Sequence, residues 1–297
     1  MTCSRDEAIR LYDAYTHEHL DRRRLLREMT ALAGSVAAAE ALIAGVGASP
    51  AAAQVVATDD KRLATMRGVQ KLPGGRKVRG YWATPAMRPG RVNTRGAVMV
   101  VHENRGLNPH IEDVARRVAL AGFSAFAPDF LSDAGGTPAD ADAARALIGK
   151  ADLAALTALG AQVAAMLGAV GGVKRRVAAI GFCWGGAFVN RLAVAAGPTL
   201  AAGVSYYGPA PAPAEAARVI APLMLHLAGE DARVNATASP WADALKAAGK
   251  RVEAHVYPGA GHAFNNDTSV ERYDKAAAEL AWGRTIAFLR RELDGRG

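Results

Sequence analysis

The segment Val177-Ala178-Ala179-Ile180-Gly181-Phe182-Cys183-Trp184-Gly185-Gly186 joins a short apolar run to an Ala-rich stretch with helical periodicity. The apolar run predicts a buried strand that leads through a tight turn into a helix. Glycines stand two residues before and two residues after Cys183, where a side chain would keep strand and helix apart. This spacing is typical of a nucleophile elbow, with cysteine in the place of serine. A structural cysteine, buried in an ordinary strand-to-helix turn, is the alternative interpretation.

The chain around this segment predicts an α/β protein. From about Arg62 onward, short β-rich runs alternate with longer helical ones, which indicates a mostly parallel sheet with helices on both faces. The turn-rich Pro73-Gly74-Gly75-Arg76 suggests an antiparallel hairpin at one sheet edge. We predict the strands of that hairpin at 62–72 and 77–84, further strands at 97–101, 124–128, 177–180, 201–206, 222–228 and 251–257, and a final helix at 274–293.

Length and composition indicate a globular protein and exclude a disordered or fibrous one. The 297 residues, of which 51% are apolar, are enough for one large domain with an appendage. The two cysteines, Cys3 and Cys183, lie far apart and lack metal-ligand spacing, so we expect no disulfide, no metal and no cofactor. The net charge of +8 comes from dispersed basic residues, with local clusters at 22–24 and 174–176. Without a nucleic-acid-binding motif, this pattern does not predict a nucleic-acid partner.

The first sixty residues differ from the rest and allow two interpretations. A polar amphipathic opening is followed by Asp21-Arg22-Arg23-Arg24-Leu25-Leu26-Arg27, an Ala-rich stretch and then Ala51-Ala52-Ala53. This order is similar to a twin-arginine export signal with a cleavage site, although Glu40 interrupts the apolar region. The alternative is an uncleaved helical arm that packs on the domain or on a second subunit, giving a homo-oligomer.

These interpretations leave the compartment open between cytoplasm and periplasm. No run of 18 uninterrupted apolar residues occurs, so we expect no permanent membrane span. We predict two regions: residues 1–60 as a helical arm or export-signal-like segment with a linker, and residues 61–297 as the α/β domain.

A cysteine nucleophile requires a base, and the base requires a carboxylate that orients it. In proteins with an elbow, both follow on loops at the carboxyl ends of later strands. Here one predicted strand leads into Glu230 and Asp231, and the next leads into His262 on a Gly-rich loop. His262 is the best candidate base among the seven histidines, because the others lie in the arm, before the nucleophile or within strands. Spacing alone does not choose between Glu230 and Asp231.

The loop after the first central strand is the expected source of a second oxyanion donor. In this chain that loop is His102-Glu103-Asn104-Arg105-Gly106. The backbone N–H groups of Trp184 and Asn104 are therefore predicted to face a developing oxyanion.

Five segments, in this order, resemble the dienelactone hydrolase (carboxymethylenebutenolidase) family of the α/β-hydrolase superfamily. The similarity spans residues 69–293, and the arm further resembles a branch of the family with a twin-arginine-like N-terminus. The segments are Val101-His102-Glu103-Asn104-Arg105-Gly106, Ala127-Pro128-Asp129, Gly181-Phe182-Cys183-Trp184-Gly185-Gly186, Ala228-Gly229-Glu230-Asp231 and Gly261-His262-Ala263-Phe264.

The resemblance implies a triad of Cys183, Asp231 and His262 on an α/β-hydrolase fold. It also implies that Glu103 contacts the resting thiol and helps to generate the thiolate when substrate binds; the alternative for Glu103 is a salt bridge to an arginine, Arg105 or Arg116. The expected activity is cofactor-independent hydrolysis of a small ester or lactone through an acyl-cysteine intermediate. A non-catalytic relative that binds a small molecule in the same pocket is the alternative function.

One departure from the family concerns the substrate. Members that act on dienelactone hold its carboxylate with two arginines, one of them four residues after the histidine, where this chain has Asn266. The other arginine has no clear counterpart, although Arg145 lies near the expected place. Hydrolysis of dienelactone itself is therefore in question. Arg105, Asn266 and Phe264 are candidate substrate-binding residues, with a solvated surface charge as the alternative for Arg105.

Overall fold

The structure is a computed structural model that describes residues 2–17, 20–47, 54–86, 95–169 and 176–294. It contains two compact units, each built from two pieces of chain: Met1–Ala53 with Ala263–Ala278, and Gln54–His262 with Glu279–Gly297. The predicted cleavage site at 51–53 and the basic residues Lys174 and Arg175 lie outside the described residues. The predicted division near residue 60 stays a prediction.

In the described residues of the larger unit, eight strands form one sheet in the order β1-β2-β4-β3-β5-β6-β7-β8. Strands β1 and β2 form an antiparallel hairpin, β2 pairs antiparallel with β4, and the remaining pairs are parallel. The predicted α/β class, with a mostly parallel sheet and an edge hairpin, is confirmed. The strands are β1 (Leu63–Lys71), β2 (Lys77–Pro85), β3 (Ala97–Val101), β4 (Ser124–Pro128), β5 (Val177–Phe182), β6 (Ala202–Tyr206), β7 (Leu223–Ala228) and β8 (Val252–Tyr257).

The helix that follows the loop after β3 begins at residues whose chemistry favours a helix start. Asn108 caps it by accepting a hydrogen bond from the Ile111 N–H (3.1 Å), and Pro109 occupies its first turn. This helix packs on β2, β3 and β4. Over the described residues, the helices of the whole chain are α1 (Thr2–His17), α2 (Arg22–Ala33), α3 (Val36–Val46), α4 (Pro109–Leu120), α5 (Ala141–Lys150), α6 (Leu153–Ala169), α7 (Trp184–Ala195), α8 (Ala232–Ala247) and α9 (Lys275–Leu293).

The parallel registers bring several strand ends to one edge of the sheet. Val101 pairs with Gly181 across β3 and β5, and Ala228 pairs with Tyr257 across β7 and β8. In open α/β sheets the crevice outside the carboxyl ends is where ligands bind. Loops from β3, β5, β7 and β8 therefore all start at this edge.

The smaller unit includes the three N-terminal helices. Asp21 caps α2 by accepting a hydrogen bond from the Arg24 N–H (2.8 Å), so the arginine run forms the first turn of a capped helix. Leu25 and Met29 of this helix are buried in a cluster that also contains Tyr12 of α1. Among the described residues, no single helix combines the length and the apolar composition needed to cross a bilayer; two bent helix pairs meet the test only when taken together.

The second piece of the smaller unit binds these helices through polar contacts. The Arg272 guanidinium lies 2.7 Å from an Asp13 carboxylate oxygen of α1. The Ser269 hydroxyl donates to the Val46 carbonyl at the end of α3 (2.8 Å). Residues 263–278 therefore fold with the arm. Self-association through the arm stays a prediction.

The turn between β5 and α7 depends on close approach of backbone segments. A Cβ on Gly181 would lie 2.0 Å from the Gly185 carbonyl oxygen. A Cβ on Gly185 would lie 2.5 Å from the carbonyl oxygens of both Val101 and His102. Carbon and oxygen atoms do not approach so closely, so only glycine allows α7 to begin directly against the end of β3.

We expect Gly185→Ala to lower the free energy of unfolding by about 3 kcal/mol, because the new methyl group would overlap backbone that cannot rotate away. Gly149→Ala, at an exposed position of α5, is the matched control, since its Cβ would meet nothing within 4 Å. There, higher helix propensity should raise stability by up to about 1 kcal/mol. Urea unfolding of both variants measures the difference, and equal stabilities would contradict the packing argument.

Candidate active site

Cys183 occupies a strained position between β5 and α7. Its backbone has φ 53° and ψ −112°, a conformation that costs a non-glycine residue on the order of 1–3 kcal/mol. Two backbone hydrogen bonds hold it: the Cys183 N–H donates to the Tyr206 carbonyl, and the Ala187 N–H donates to the Cys183 carbonyl, both at 3.0 Å. The thiol thus stands at the N-terminal end of α7, where the helix dipole favours a negative charge.

His262 lies between a carboxylate and this thiol. Its Nδ1 is 2.5 Å from the Asp231 Oδ2, and both side chains are about 5% exposed or less. A ring nitrogen of His262 lies within 4.8 Å of the Cys183 Sγ. Because Asp231 binds Nδ1, Nε2 is the atom that could exchange a proton with the thiol.

The surroundings favour the charged form of the histidine. Burial opposes the imidazolium, but the nearby Cys183 sulfur and the hydrogen bond to Asp231 outweigh it and raise the pKa of His262 to about 10. Burial would also raise the pKa of Asp231, yet the hydrogen bond from His262 and its positive charge hold it below its usual value. The Val234 N–H, which donates to Asp231 Oδ1 at the start of α8, acts in the same direction.

Glu230 and Asp231, between which spacing alone did not choose, have different environments in the structure. Asp231 points to the histidine, whereas Glu230 is exposed and uses its backbone N–H to bond the Ala260 carbonyl. The sequence analysis missed Tyr207, whose ring packs edge-on against His262 with 5.1 Å between ring centroids. Tyr207 directly follows β6, and β6 lies in the sheet between β5, which leads to Cys183, and β7, which leads to Asp231. The strand order could therefore have indicated that Tyr207 lies near the site.

The loop after β3 carries the other predicted residues. Glu103 is 8% exposed, and Asn104 and Arg105 are partly buried, as is Trp184 at the start of α7. At its far end, the Leu107 N–H donates to the Thr137 hydroxyl (2.9 Å).

Thr137 in turn is fixed by a carboxylate of one of the family segments. Asp129 accepts hydrogen bonds from the Thr137 backbone N–H (2.7 Å) and from its hydroxyl (2.8 Å). This explains structurally why an aspartate follows β4, a role that the sequence analysis did not assign.

Arg116, one alternative partner for Glu103, binds other groups. It is fully buried and donates to the Val56 carbonyl (2.9 Å) and the Tyr81 hydroxyl (3.0 Å). Its carboxylate contact is with Asp113 at 3.3 Å. The charge of Arg116 is thus compensated on α4.

The candidate substrate-binding residues do not all belong to the same unit. Arg105 lies in the larger unit, whereas Phe264 and Asn266 lie in the smaller one, where both are buried. The Asn266 side-chain oxygen accepts hydrogen bonds from the Thr268 N–H (3.1 Å) and hydroxyl (2.6 Å). Arg145 is in the larger unit, 3.2 Å from the Asp142 carboxylate one helical turn away.

A mostly parallel sheet with a cysteine at a strained strand-to-helix turn, followed by an acid and a histidine on later loops, defines the α/β-hydrolase class. Comparison of the sequence narrows the class further. The model of the dienelactone hydrolase family matches residues 78–293, and the chain belongs to that family of hydrolases.

Individual relatives agree with this assignment. A protein of Escherichia coli K12, described as "Putative carboxymethylenebutenolidase", is 33% identical over 259 residues, which cover 82% of this chain and 93% of that protein. The crystal structure described as "Putative Dienelactone Hydrolase" from Klebsiella pneumoniae is 30% identical with a TM-score of 0.67, and covers 77% of this chain and 99% of its own. A dienelactone hydrolase-like promiscuous phosphotriesterase from metagenomic libraries is 25% identical with a TM-score of 0.65, covering 78% and 99%.

The raised pKa of His262 gives a measurable titration. We expect the ring to stay protonated until about pH 10, and Asp231→Asn to move its titration to lower pH because that variant removes the negative charge and the charge-assisted hydrogen bond that favour the imidazolium. Glu230→Gln, which neutralises the adjacent exposed carboxylate, should leave the titration in place. NMR of ring-labelled histidine reports both variants, and equal shifts would contradict the assignment.

The same pKa sets the sign of a stability effect. A group whose pKa is raised from 6.5 to about 10 on folding stabilises the folded state fully below about pH 6.5. That contribution is lost as the pH rises through about 10.

Proposed function

We propose that this chain hydrolyses small esters or lactones with Cys183 as the nucleophile, His262 as the acid and base, and Asp231 as the residue that orients and charges His262. The observation that carries the proposal is the line of contacts from Asp231 Oδ2 to His262 Nδ1, at 2.5 Å, and from the histidine ring to the Cys183 Sγ, within 4.8 Å. A nucleophile, a base and an orienting carboxylate are three of the groups that nucleophilic acyl transfer requires.

In the first half of the reaction, the Cys183 thiolate attacks the carbonyl carbon, and the C=O electron pair moves to the oxygen. The backbone N–H groups of Trp184 and Asn104 stabilise that oxyanion. The tetrahedral intermediate collapses to a thioester and expels the alkoxide or enolate, which takes a proton from the His262 imidazolium. For a lactone, the leaving group stays attached to the acyl chain.

In the second half, neutral His262 removes a proton from water, and the hydroxide attacks the thioester carbonyl. Collapse of this intermediate breaks the C–S bond, releases the carboxylic acid and restores the thiolate beside the imidazolium. The charge of Asp231 favours the imidazolium that forms in this step, as its contribution to the raised pKa of His262 indicates.

Glu103 enters the proposal through the family resemblance. Its burial, at 8% exposed, and its place in the loop after β3 are compatible with a carboxylate that contacts the resting thiol. On substrate class, the family supports esters and lactones. Asn266 accepts hydrogen bonds from Thr268 where dienelactone-binding members have an arginine, so we propose substrates that need no carboxylate clamp at this position.

We expect Cys183→Ala to lower kcat/KM for short activated esters and lactones by at least about 10³-fold, because no other group forms the acyl intermediate. Intact-mass measurement of the wild type during turnover should show one acyl group on Cys183. Cys3→Ala, which removes the only other cysteine, is the control and should keep both activity and adduct.

Undiminished hydrolysis by Cys183→Ala would end the proposal. Lactone binding by the wild type without any turnover would instead support the non-catalytic alternative.

A further inference from the structure

Both ring nitrogens of His102 form hydrogen bonds to backbone groups. It directly follows β3 and is fully buried. Its Nδ1 is 2.6 Å from the Glu103 carbonyl oxygen, and since a carbonyl only accepts, Nδ1 carries the proton. Its Nε2 is therefore the acceptor for the Phe130 N–H at 3.2 Å. Burial lowers the pKa of His102, which keeps the ring in this neutral form.

The same ring contacts the other side of the elbow. It stacks on the Trp184 indole with 5.4 Å between ring centroids and an interplanar angle of 12°. The backbone carbonyl of His102 is also one of the two against which Gly185 packs. His102, the first residue of the loop after β3, thus binds the next residue of that loop through Nδ1, and it contacts the start of α7 through a ring face and its backbone carbonyl.

These two segments carry the two proposed oxyanion donors. The Glu103 carbonyl that accepts from His102 Nδ1 and the N–H of Asn104 belong to the same planar peptide group, so this hydrogen bond also orients the Asn104 N–H. The N–H of Trp184 belongs to the residue on which the ring stacks. A rigid ring between them fixes the separation of two groups that must both reach one oxygen.

We propose that His102 is a positioning residue that holds the oxyanion loop against the elbow, so that the N–H groups of Asn104 and Trp184 converge on the reacting carbonyl oxygen. The inference rests on the proposed function. Donors act when they lie about 2.7–3.1 Å from the oxyanion, and removal of one donor costs about 10²–10³-fold in kcat. Loss of the His102 hydrogen bond should therefore lower kcat with little effect on KM.

Two amide substitutions separate the two ring nitrogens. The side-chain nitrogen of His102→Asn reaches about where Nδ1 lies and can still donate to the Glu103 carbonyl. The amide of His102→Gln reaches about where Nε2 lies and can still accept from the Phe130 N–H. Both variants lose the stacked ring, so they are matched for packing, and thermal unfolding should show similar stability.

We expect His102→Asn to keep kcat for ester hydrolysis within about threefold of wild type, and His102→Gln to lose about tenfold or more, with KM within about twofold in both. Alkylation of Cys183 by iodoacetamide should proceed at the wild-type rate in both variants, because this displacement forms no oxyanion. If one variant does not fold, comparison of kcat between the other variant and the wild type still tests the proposal.

Equal losses of kcat in the two variants, or no loss in His102→Gln, would overturn the proposal. A parallel fall in alkylation would also overturn it, since His102 would then act on the thiol. Failure of the proposed function is a different result, because then the wild type itself would lack Cys183-dependent hydrolysis.

Discussion

The approach of Gly185 to the carbonyl groups at the end of β3 is the contact on which the site depends. It brings the first turn of α7 directly against the loop that starts at His102, with no space for even a methyl group between them. This contact places the strained Cys183 beside that loop, and the backbone hydrogen bonds to the Tyr206 carbonyl and from the Ala187 N–H hold Cys183 in its strained conformation. The conformational strain at Cys183 costs free energy, and the packing of the surrounding sheet offsets that cost. Thus the rigid element of the site is backbone, and side chains are arranged around it.

The polar part of the site is organised around one buried positive charge. An imidazolium with about 4% exposure would be unfavourable alone, because burial removes its hydration. The Asp231 carboxylate and the Cys183 sulfur on opposite sides compensate for that loss, and in a site of low dielectric their effect is larger than it would be in water. Asp231 also accepts a hydrogen bond from the first turn of α8, so its orientation is fixed by a helix cap as well as by the histidine.

By contrast, His226 lies within β7 and has a structural role. Its ring nitrogens bond the Tyr257 and Thr285 hydroxyl groups at 2.8 and 2.9 Å, which is the packed, hydrogen-bonded role that a histidine within a strand suggests.

Sequence reasoning predicted most of the fold because the fold follows local patterns. The strands 97–101 and 124–128 agree with the structure residue for residue, since short, mostly apolar runs bounded by turns are typical of a buried parallel sheet. The elbow, the histidine loop and the acid loop were predictable because their chemistry follows strand ends. The orientation of neighbouring loop residues was not, as Glu230 and Asp231 illustrate. Contacts between distant parts of the chain were also missed: Ser269 bonds Val46 and Thr137 bonds Leu107, and neither pair leaves a periodic signal in the sequence.

Because the smaller unit is built from two separate pieces of chain, removal of one piece by proteolysis would affect the other. Its second piece starts at Ala263, the residue after His262, and is tied to α1 and α3 through Arg272 and Ser269. An export leader ordinarily separates from a mature chain that does not need it for folding. Here, removal of the N-terminal helices would leave the 9%-exposed Arg272 without the Asp13 carboxylate and would strip the following segment of its helical partners. Cleavage after the N-terminal helices would therefore require residues 263–278 to repack, whereas an intact N-terminal segment preserves a unit whose two pieces lie far apart in the sequence.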